Sequence, residues 1–478
     1  MTFQRELAWQ TLDLLHRASI AHQYARYALC LDYAMLPPEV VHEAKRCLLD
    51  ALGCAIGAFE APGTPMVEAV VRDLGGVEEA TVLGSGLRTT ALNATLVNSF
   101  MVRYLDYNDM GGGGHNSDSI PAIVAVAERE RANGRNLLTS IVISYELGAR
   151  FSDGLGGHTS YESKGWTIDV RGGVSMPPSL GKLMGLKEEQ IANAIGVCAS
   201  HALPLGILDT NKEENAMAKN LRFGLVSYDA ILSCLLAKRG FTGPVRVVDG
   251  ENGICDVLMN GGMDLERMAD FSGWRILATR FKSMCANGSS QGHVFATLGI
   301  VKENDLKPED IASVRIGTGL RESRHTTSLS KKYPRNAESA DHSAFYANAV
   351  AIKERHFGPA AMEAAKFDDP VILDLIERMT VEPHPSISEH GSQGISEIVT
   401  KDGRKFVKRV DVPYGFVEPL TDKELEEKFA EMARKHFSDC EIANIFKTIW
   451  DLEQLSDVSV LMAMMVKRAQ YRTLESRG

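Results

Sequence analysis

Three carboxylates, two amides and an imidazole surround four consecutive glycines in the stretch Arg103-Tyr-Leu-Asp-Tyr-Asn-Asp-Met-Gly-Gly-Gly-Gly-His-Asn-Ser-Asp118. Glycine lets the backbone adopt dihedral angles that other residues avoid and come close to a ligand. His115 is a candidate for proton transfer near neutral pH, and a nearby carboxylate can fix its tautomer and raise its pKa. The alternative is a helix that runs into a polar loop, with Asp and Asn as turn formers. In both interpretations, a helix ends and a turn begins within this stretch.

The composition is that of an ordinary globular protein. The 478 residues are 44% hydrophobic and 24% charged, which is enough apolar material for a sizeable core and roughly two to four domains. The net charge is −10 and no block of Lys and Arg stands out, so nucleic acid and an anionic membrane are not expected as main partners. An anionic substrate stays open, because a few buried cations can outweigh the global charge locally.

The cysteines and the chain start indicate a cytoplasmic protein. No two of the 8 cysteines are spaced C-x-x-C, and several, such as Cys47 and Cys54, lie in apolar helical stretches. This usage fits reduced, buried thiols. The N-terminus lacks the apolar segment of a signal peptide, and no run reaches the roughly 18 apolar residues of a membrane span. We therefore expect a soluble cytoplasmic protein.

Helical periodicity dominates up to about residue 270. After Pro37-Pro38, apolar residues from Val40 to Ala55 recur at i, i+3 and i+4, with Gly57 near the end, which predicts a helix. Gly134 and Gly240 stand where C-terminal caps would be. Similar helical patterns cover Thr89 to Tyr107, Ile120 to Asn133, Leu137 to Phe151, Glu188 to His201 and Leu221 to Lys238.

The pattern changes near Trp274 to that of a compact α+β unit. Ala312 to Thr318 alternates like a strand, and Ser396 to Thr400 with Lys405 to Asp411 predicts a hairpin around Asp402-Gly403. Helical patterns lie between these strands, at Ser343 to Lys353 and at Val371 to Met379.

Helical sequence returns at Thr421-Asp-Lys-Glu424, a capping-box pattern, and continues to about Arg472. These last helices have no partner in the hairpin region, so we expect them to pack on the first helical part. The sequence thus predicts a mainly α protein with an α+β insert. Residues 1–272 form the first segment of a large helical domain, residues 273–416 a smaller α+β lid domain, and residues 417–478 the returning helical segment.

Several short blocks, in a fixed order, resemble a known family. The blocks are Leu105-Asp-Tyr-Asn-Asp109 with His115-Asn-Ser-Asp118, Lys164-Gly-Trp166 with Lys182-Leu-Met-Gly-Leu186, Met217-Ala-Lys-Asn-Leu-Arg-Phe-Gly224 with Arg239-Gly-Phe-Thr-Gly243, Phe281-Lys282 with Ser290-Gln291, and Ala340-Asp-His-Ser343 with Tyr346. Together they resemble the MmgE/PrpD family from about residue 23 to about residue 435. The resemblance implies a helical domain with an α+β lid, a homodimer, and chemistry without a cofactor or metal on a small polycarboxylate between the domains. Known activities in the family are 2-methylcitrate dehydration, cis-aconitate decarboxylation and iminodisuccinate epimerisation.

Under this resemblance, cations hold the carboxylates of the substrate. Removing a proton beside a carboxylate builds charge on a group that is already anionic, and fixed cations lower that barrier. Lys219, Arg222 and Lys282 match or neighbour family positions, and Lys219 also belongs to the predicted catalytic group. Gln291 is a further candidate for substrate binding. The alternative for the lysines is a place on a solvated helix face.

His115 would then be the general acid or base, with Asp106 or Asp109 orienting it or contacting the substrate. If the helix from Thr89 continues to Asp106, then Leu92, Leu96, Ser99, Arg103 and Asp106 share one face. The alternative for Asp106 is a purely structural ion pair with Arg103.

His342 opens an apolar helix, as a second proton-transfer group or as a residue that only caps and packs. Tyr346 follows one turn later on the same face and could donate to a substrate oxygen. His293, close to Lys282 in sequence, is a weaker candidate.

Several departures from the family blocks bear on the substrate. The decarboxylase-type members carry His in the block that here reads Gly165-Trp-Thr167, Lys-x-x-His where this chain has Lys219-Asn-Leu-Arg222, and Thr at the position of Met110. These differences speak against cis-aconitate as the substrate. The dehydratase-type His-Ser-Gln block is also altered, since Ser289 precedes Ser290-Gln291. The run Gly111 to Gly114 replaces bulkier residues, so the pocket wall could admit another substituent.

The leading hypothesis is a hydro-lyase that dehydrates 2-methylcitrate or a related alkylcitrate. A decarboxylase or epimerase on a small polycarboxylate is the alternative among enzymes, and a catalytically silent protein that binds a polyanion or a partner is the alternative from another class. A phosphate-binding loop is excluded because G-x-x-x-x-G-K-[ST] is missing. H-E-x-x-H, paired cysteines and EF-hand spacing are missing too, so no metal or iron–sulfur cluster is predicted.

Overall fold

The computed structural model of the chain describes residues 3–111, 114–156, 165–389, 391–415 and 418–467. Four features from the sequence analysis fall outside these ranges: Gly112-Gly113 of the glycine run, Lys164 of a family block, the boundary at residues 416–417, and the last predicted helix beyond residue 467. The predicted limits of the domains stay predictions.

The first part of the chain is helical, with one short two-stranded ribbon. Its helices are α1 (Phe3–Ala18), α2 (Ile20–Cys30), α3 (Pro38–Gly57), α4 (Gly63–Leu74), α5 (Ala91–Tyr104), α6 (Ile120–Arg129), α7 (Gly134–Gly154), α8 (Gly172–Leu183), α9 (Glu188–Ala199), α10 (Ala218–Lys238), α11 (Ile254–Met259) and α12 (Leu265–Met268). The ribbon pairs β1 (Ala80–Thr81) with β2 (Arg88–Thr89) in antiparallel fashion.

The second part combines helices with a four-stranded sheet. Its helices are α13 (Gln291–Glu303), α14 (Leu320–Thr326), α15 (Leu329–Lys332), α16 (Ala337–Ala340), α17 (Ala344–Glu354) and α18 (Pro370–Glu377), and its strands are β3 (Ile311–Thr318), β4 (Met379–Pro383), β5 (Gly394–Thr400) and β6 (Lys405–Val410). The strand order is β4-β3-β5-β6. β3 runs parallel to β4, and the β3–β5 and β5–β6 pairs are antiparallel. The chain ends in α19 (Asp422–Ala433), α20 (Asp439–Trp450) and α21 (Ser459–Met464).

This architecture confirms the predicted class, a mainly α protein with a smaller α+β part. The predicted hairpin is present, and Gly403 in its turn has φ +90°, a conformation that glycine adopts without strain. Helix α13 packs so closely on β5 that a Cβ at Gly394 would lie 2.0 Å from the backbone nitrogen of His293. The lid sheet is therefore covered on this face by a helix that begins beside the site described below.

The returning segment packs on the first helical part, as predicted. A Cβ at Gly53 of α3 would lie 2.9 Å from the Phe429 ring of α19, so the absence of that atom allows the close approach. Beside this contact, the buried Lys428 donates to Asp50 of α3 at 2.6 Å and to the carbonyl of Tyr107 at 2.7 Å. Helix α19 thus fixes both α3 and the loop that follows α5.

Helix α10 is the one described helix with the length and composition of a membrane span, and most of it is buried inside the protein. It packs between α5, α8 and α9. A buried position of this kind is typical of a core helix.

Two local predictions were wrong. Helix α5 ends at Tyr104, and Asp106 lies beyond it with φ +45°, so Asp106 does not continue the α5 face. Gly134 is the first residue of α7 and not a C-terminal cap, because the Asn133 side chain caps α7 and a Cβ at Gly134 would lie 1.7 Å from the carbonyl oxygen of Leu452. Gly240, with φ +89°, follows α10 as predicted.

Candidate active site

A cavity of about 700 Å³ lies between the helical part and the α+β part, within the size range of small-molecule sites. Both parts of the chain contribute to its wall. The titratable lining residues are Arg103, Asp106, His115, Asp209, Lys212, Glu213, Arg222, Lys282, Arg321, His325 and His342.

Asp106 is the centre of one cluster in this wall. Its carboxylate pairs with Arg103, and Lys282 approaches the same oxygen to 2.9 Å while donating to the Asp106 carbonyl at 2.6 Å. Burial alone would raise the pKa of Asp106, but Lys282 and Arg103 hold it well below its usual value. Two cations thus share one ionised carboxylate, which leaves this end of the cavity with positive charge.

His115 is held by a hydrogen bond from one ring nitrogen, and its other ring nitrogen can take part in proton transfer. Its Nδ1 donates to the carbonyl of Asp109 at 2.6 Å, which fixes the tautomer, and its Nε2 lies 3.5 Å from the Asp106 carboxylate. Burial lowers the pKa of His115 well below its ordinary value, and the charges of Arg103 and Lys282 lower it further. The imidazole is therefore neutral at pH 7, with the Nε2 lone pair available to accept a proton.

Asp109 supports this loop from behind the cavity. It accepts from the Ser117 hydroxyl at 2.7 Å and from the Tyr145 hydroxyl at 2.6 Å. Burial, together with the nearby Asp50, raises the pKa of Asp109 to about 6. Asp109 thus holds the loop around His115 in position. It lies away from the cavity wall and does not make the predicted substrate contact.

Lys219 is likewise buried behind the wall. Its Nζ lies 2.6 Å from Asp341 Oδ2 and 3.1 Å from His342 Nδ1. The same Asp341 accepts from His342 Nδ1 at 2.6 Å through its other oxygen. Lys219 therefore links α10 to the segment before α17 and orients His342, whose Nε2 faces the cavity.

Arg222 lines the cavity as predicted. It pairs with the buried Asp169 and lies 3.4 Å from Asp209 Oδ2. Burial would raise the pKa of Asp209, but His342, Arg222 and His325 hold it well below the usual value. Arg222 and Asp209 form a second charged region of the cavity wall, from a later part of the chain than Asp106.

Besides Asp109 and Lys219, the predicted site residues Tyr346 and Gln291 and the weaker candidate His293 also lie outside the lining of the cavity. The Tyr346 hydroxyl donates to the carbonyl of Ala361 at 2.6 Å, away from the cavity. The Gln291 amide donates to the carbonyls of Met284 and Ala286 at 3.1 and 3.0 Å. His293 is fully buried and bonds Asn348. Tyr346 was predicted from helix spacing and a family block, Gln291 from a family block, and His293 from its nearness to Lys282 in sequence. Their polar atoms instead bond other groups of the α+β part.

Among the titratable wall residues, sequence reasoning missed Asp209, Lys212, Glu213, Arg321 and His325. Arg321 and His325 stand one turn apart on α14, an i, i+4 spacing that was visible in the sequence. Asp209 ends a short 3-10 helix, Gly206–Asp209, which is too short to give a recognisable periodic pattern in the sequence.

Models of two known protein domains match most of the chain. The model of the MmgE/PrpD N-terminal domain matches residues 22–266, and that of the MmgE/PrpD C-terminal domain matches residues 284–452. A cis-aconitate decarboxylase-like protein of Aspergillus oryzae, oryM, is 22% identical over 95% of this chain and 98% of its own length. The human cis-aconitate decarboxylase is 23% identical over 94% of each chain. A 2-methylcitrate dehydratase-like protein of Aspergillus oryzae, oryR, is 26% identical over 87% of this chain and 90% of its own. The chain belongs to the MmgE/PrpD family.

Proposed function

We propose that the protein is a hydro-lyase that dehydrates 2-methylcitrate or a related alkylcitrate. The observation that carries the proposal is the neutral His115, whose free Nε2 lies in a cationic cavity beside Asp106. Relatives named as 2-methylcitrate dehydratases, including one from Escherichia coli that is 23% identical over 90% of this chain, support the choice of reaction.

The first step is proton transfer from carbon to His115. A C–H bond beside a substrate carboxylate breaks, the proton moves to His115 Nε2, and the electron pair is left on the carbon next to the carboxylate. Lys282 and Arg103 face the growing negative charge and stabilise it in a site from which substrate displaces water. Lys282 belongs to the α+β part and meets Asp106 just after the end of α5, so the two parts of the chain together place the cations at this end of the cavity.

The second step expels the hydroxyl group. The electron pair forms the C=C bond, the C–O bond breaks, and the oxygen leaves as water after taking a proton from His342 Nε2. Asp341 holds the Nδ1 proton of His342 at 2.6 Å and so keeps Nε2 directed at the cavity. Arg222 binds a second carboxylate of the substrate. The balance of atoms needs no oxidant or reductant, and we propose no cofactor.

Decarboxylation of a cis-aconitate-like substrate is the second candidate, favoured by the cis-aconitate decarboxylases among the relatives that match nearly the whole chain. That reaction loses carbon dioxide and then needs an acid to protonate the carbanion. The low pKa of His115 makes it a base at the start of the cycle, which favours dehydration. Epimerisation also starts with a base and differs in returning the proton to the other face.

A second copy of this chain is the macromolecular partner that we propose. The surface near α10 carries large exposed apolar side chains, among them Met217, Leu225, Leu232 and Phe241. Burial of such a surface is typical of a homodimer. Light scattering of the purified chain measures its mass, and a monomer at micromolar concentration would rule the dimer out.

Ultraviolet absorbance tests the proposed reaction. Purified protein mixed with 2-methylcitrate in the presence of a chelator should give rising absorbance from the new conjugated double bond, and His115→Ala should abolish the rise. Release of carbon dioxide from cis-aconitate without any such rise would select the decarboxylase. Thermal stabilisation by citrate-like ligands without product from either substrate would select the catalytically silent binding protein, and its loss in Lys282→Ala would locate the binding site.

A further inference from the structure

Three polar side chains converge on one point of the cavity wall, at the end formed by Asp209, His325 and His342. The Nε2 of His342 lies 3.5 Å from Asp209 Oδ1, and the Nε2 of His325 lies 3.8 Å from the same oxygen. The three atoms lie within 4.8 Å of one another. Asp209 Oδ1 is itself buried and has no hydrogen-bond partner among the described residues.

The other nitrogen of each imidazole is occupied. His342 Nδ1 donates to Asp341 at 2.6 Å, and His325 Nδ1 donates to the side-chain oxygen of Asn211. In its neutral form, an imidazole that donates from Nδ1 carries its lone pair on Nε2, so two neutral imidazoles and a carboxylate direct two nitrogen lone pairs and one oxygen at the same small volume. A proton on one imidazole, as in the proposed elimination, or a metal ion between the three atoms removes the repulsion between them.

We propose that Asp209, His325 and His342 form a binding site for a divalent transition-metal ion of the zinc class. Two imidazoles and one carboxylate are a common ligand set for such ions, and an oxygen acceptor on the far nitrogen of each imidazole is typical of metal-binding histidines. A tetrahedral ion about 2.1 Å from each ligand places the ligands about 3.4 Å apart, close to the separations observed here.

The charges around the three ligands are compatible with a cation. Arg222 lies 3.4 Å from the other oxygen of Asp209 and is itself paired with Asp169. Lys219 is paired with Asp341 at 2.6 Å. These two cations thus each have their own carboxylate, while the buried Lys331 donates to the carbonyls of His325 at 2.7 Å and Thr210 at 3.1 Å. All three ligands line the cavity, so the open coordination position faces the space where a small carboxylate would bind.

This site departs from the expectation that the chain binds no metal. Asp209 lies more than a hundred residues before His325, and His342 follows His325 outside the spacing of a short metal-binding motif, so the sequence motifs did not predict this site. If the proposed function is correct, an ion on His342 Nε2 removes the group that donates a proton to the leaving hydroxyl. We therefore expect such an ion to inhibit turnover, and this consequence alone rests on the proposed function.

Cobalt tests the site without any assay of turnover. The full chain, first treated with a chelator that is then removed, is titrated with Co²⁺ alone while the visible d–d absorption is followed. We expect saturable bands at one Co²⁺ per chain. His325→Ala and His342→Ala should abolish them, and Asp209→Asn should weaken them. Asn211→Ala should weaken Co²⁺ binding about tenfold or more, because it removes the acceptor that orients His325.

Two further variants serve as controls. His356→Ala removes an exposed histidine that pairs with Glu431 at 2.7 Å, and it should leave the bands unchanged. His115→Ala should lose turnover and keep the bands, which separates this site from the proposed function. The proposal is overturned if the wild-type chain gives no bands, or if correctly folded His325→Ala and Asp209→Asn bind Co²⁺ as the wild type does.

Discussion

His115 illustrates how the fold sets the chemistry of a single residue. The sequence suggested that a nearby carboxylate would raise its pKa, but burial and two cations lower it. A base acts only when deprotonated, so a lowered pKa extends activity toward acid pH. We expect the acid limb of kcat/KM to lie below about pH 6.5, the ordinary pKa of histidine. An acid limb at or above that pH, measured in a full pH profile, would contradict the assignment of His115 as the base.

Lys282 is one of the two cations that hold this pKa down. Lys282→Met removes a positive charge and leaves the Asp106 carboxylate beside His115 less compensated. The pKa of His115 should therefore rise, and the acid limb of kcat/KM should move to higher pH. KM should rise as well, because a substrate carboxylate loses its partner. Lys405→Met, at an exposed lysine paired with Glu397, should move neither quantity. An unshifted acid limb in Lys282→Met would show that this cation does not control the base.

The residues of the candidate active site were partly predictable from the sequence. His115, Arg222 and Lys282 were found because their types and family blocks pointed to carboxylate chemistry, and all three line the cavity. Tyr346 was predicted from helix spacing and a family block, neither of which can show that its hydroxyl bonds the Ala361 carbonyl. Asp209 reaches the site at the end of the 3-10 helix Gly206–Asp209, whose position depends on long-range packing that local sequence does not encode.

At the scale of elements, helix α19 is an anchor as well as a core helix. Lys428 is buried with Asp50 and also holds the carbonyl of Tyr107 in the loop after α5. Removing one partner of a buried pair leaves an uncompensated charge, which typically costs about 3–5 kcal/mol. We therefore expect Lys428→Met to lower the free energy of unfolding by about that amount in urea.

A neighbouring lysine on α19 provides the matched control. Lys423 pairs with Glu427 at 3.8 Å, and both side chains are exposed. Exposed pairs contribute about 0–1 kcal/mol, so Lys423→Met should be nearly neutral. The double variant Asp50→Asn with Lys428→Met should recover part of the loss. Equal effects of the two single lysine substitutions would show that burial of Lys428 does not matter.

Element types followed from periodicity, whereas two boundaries did not. The patterns for α3, α10 and the β5–β6 hairpin were long enough to be recognised, and the Thr421 capping box is present. The end of α5 was misplaced because Asp106 is stabilised in a left-handed conformation by Lys282, which is 176 positions away. A contact at that distance is invisible to a local pattern.

At the scale of the whole molecule, buried carboxyls make stability depend on pH. Burial raises the pKa of Asp118 to about 7, although Arg103 acts in the opposite direction. An unfolded Asp titrates near 3.9, so the folded state holds the proton more tightly. The contribution of Asp118 is fully present below about pH 4 and is lost as pH rises through about 7.

Asp118→Asn should remove this loss. Because Asn keeps an acceptor for the Asn108 amide, which donates to Asp118 at 2.8 Å, the variant should fold normally. Its stability relative to the wild type should increase between pH 5 and pH 8, by on the order of 2 kcal/mol. Urea unfolding at both pH values measures the difference. The same difference between wild type and variant at both pH values would contradict the raised pKa.

The overall arrangement of a helical body with an α+β insert was predictable because composition and periodicity change sharply near Trp274. The full set of residues that line the cavity was not predictable, because its wall is formed by α5, α10, α14 and the segments between them. Long-range packing, such as α19 on α3, decides which side chains meet there.

Hydrogen–deuterium exchange at the substrate carbon tests the central claim most directly, namely that His115 takes a proton from a carbon beside a carboxylate. The protein is incubated with 2-methylcitrate in D₂O and the carbon-bound hydrogens of recovered substrate and product are followed by NMR. We expect deuterium at the carbon next to a carboxylate with the wild-type protein and none with His115→Ala. Exchange that persists at the wild-type rate in His115→Ala would contradict the account.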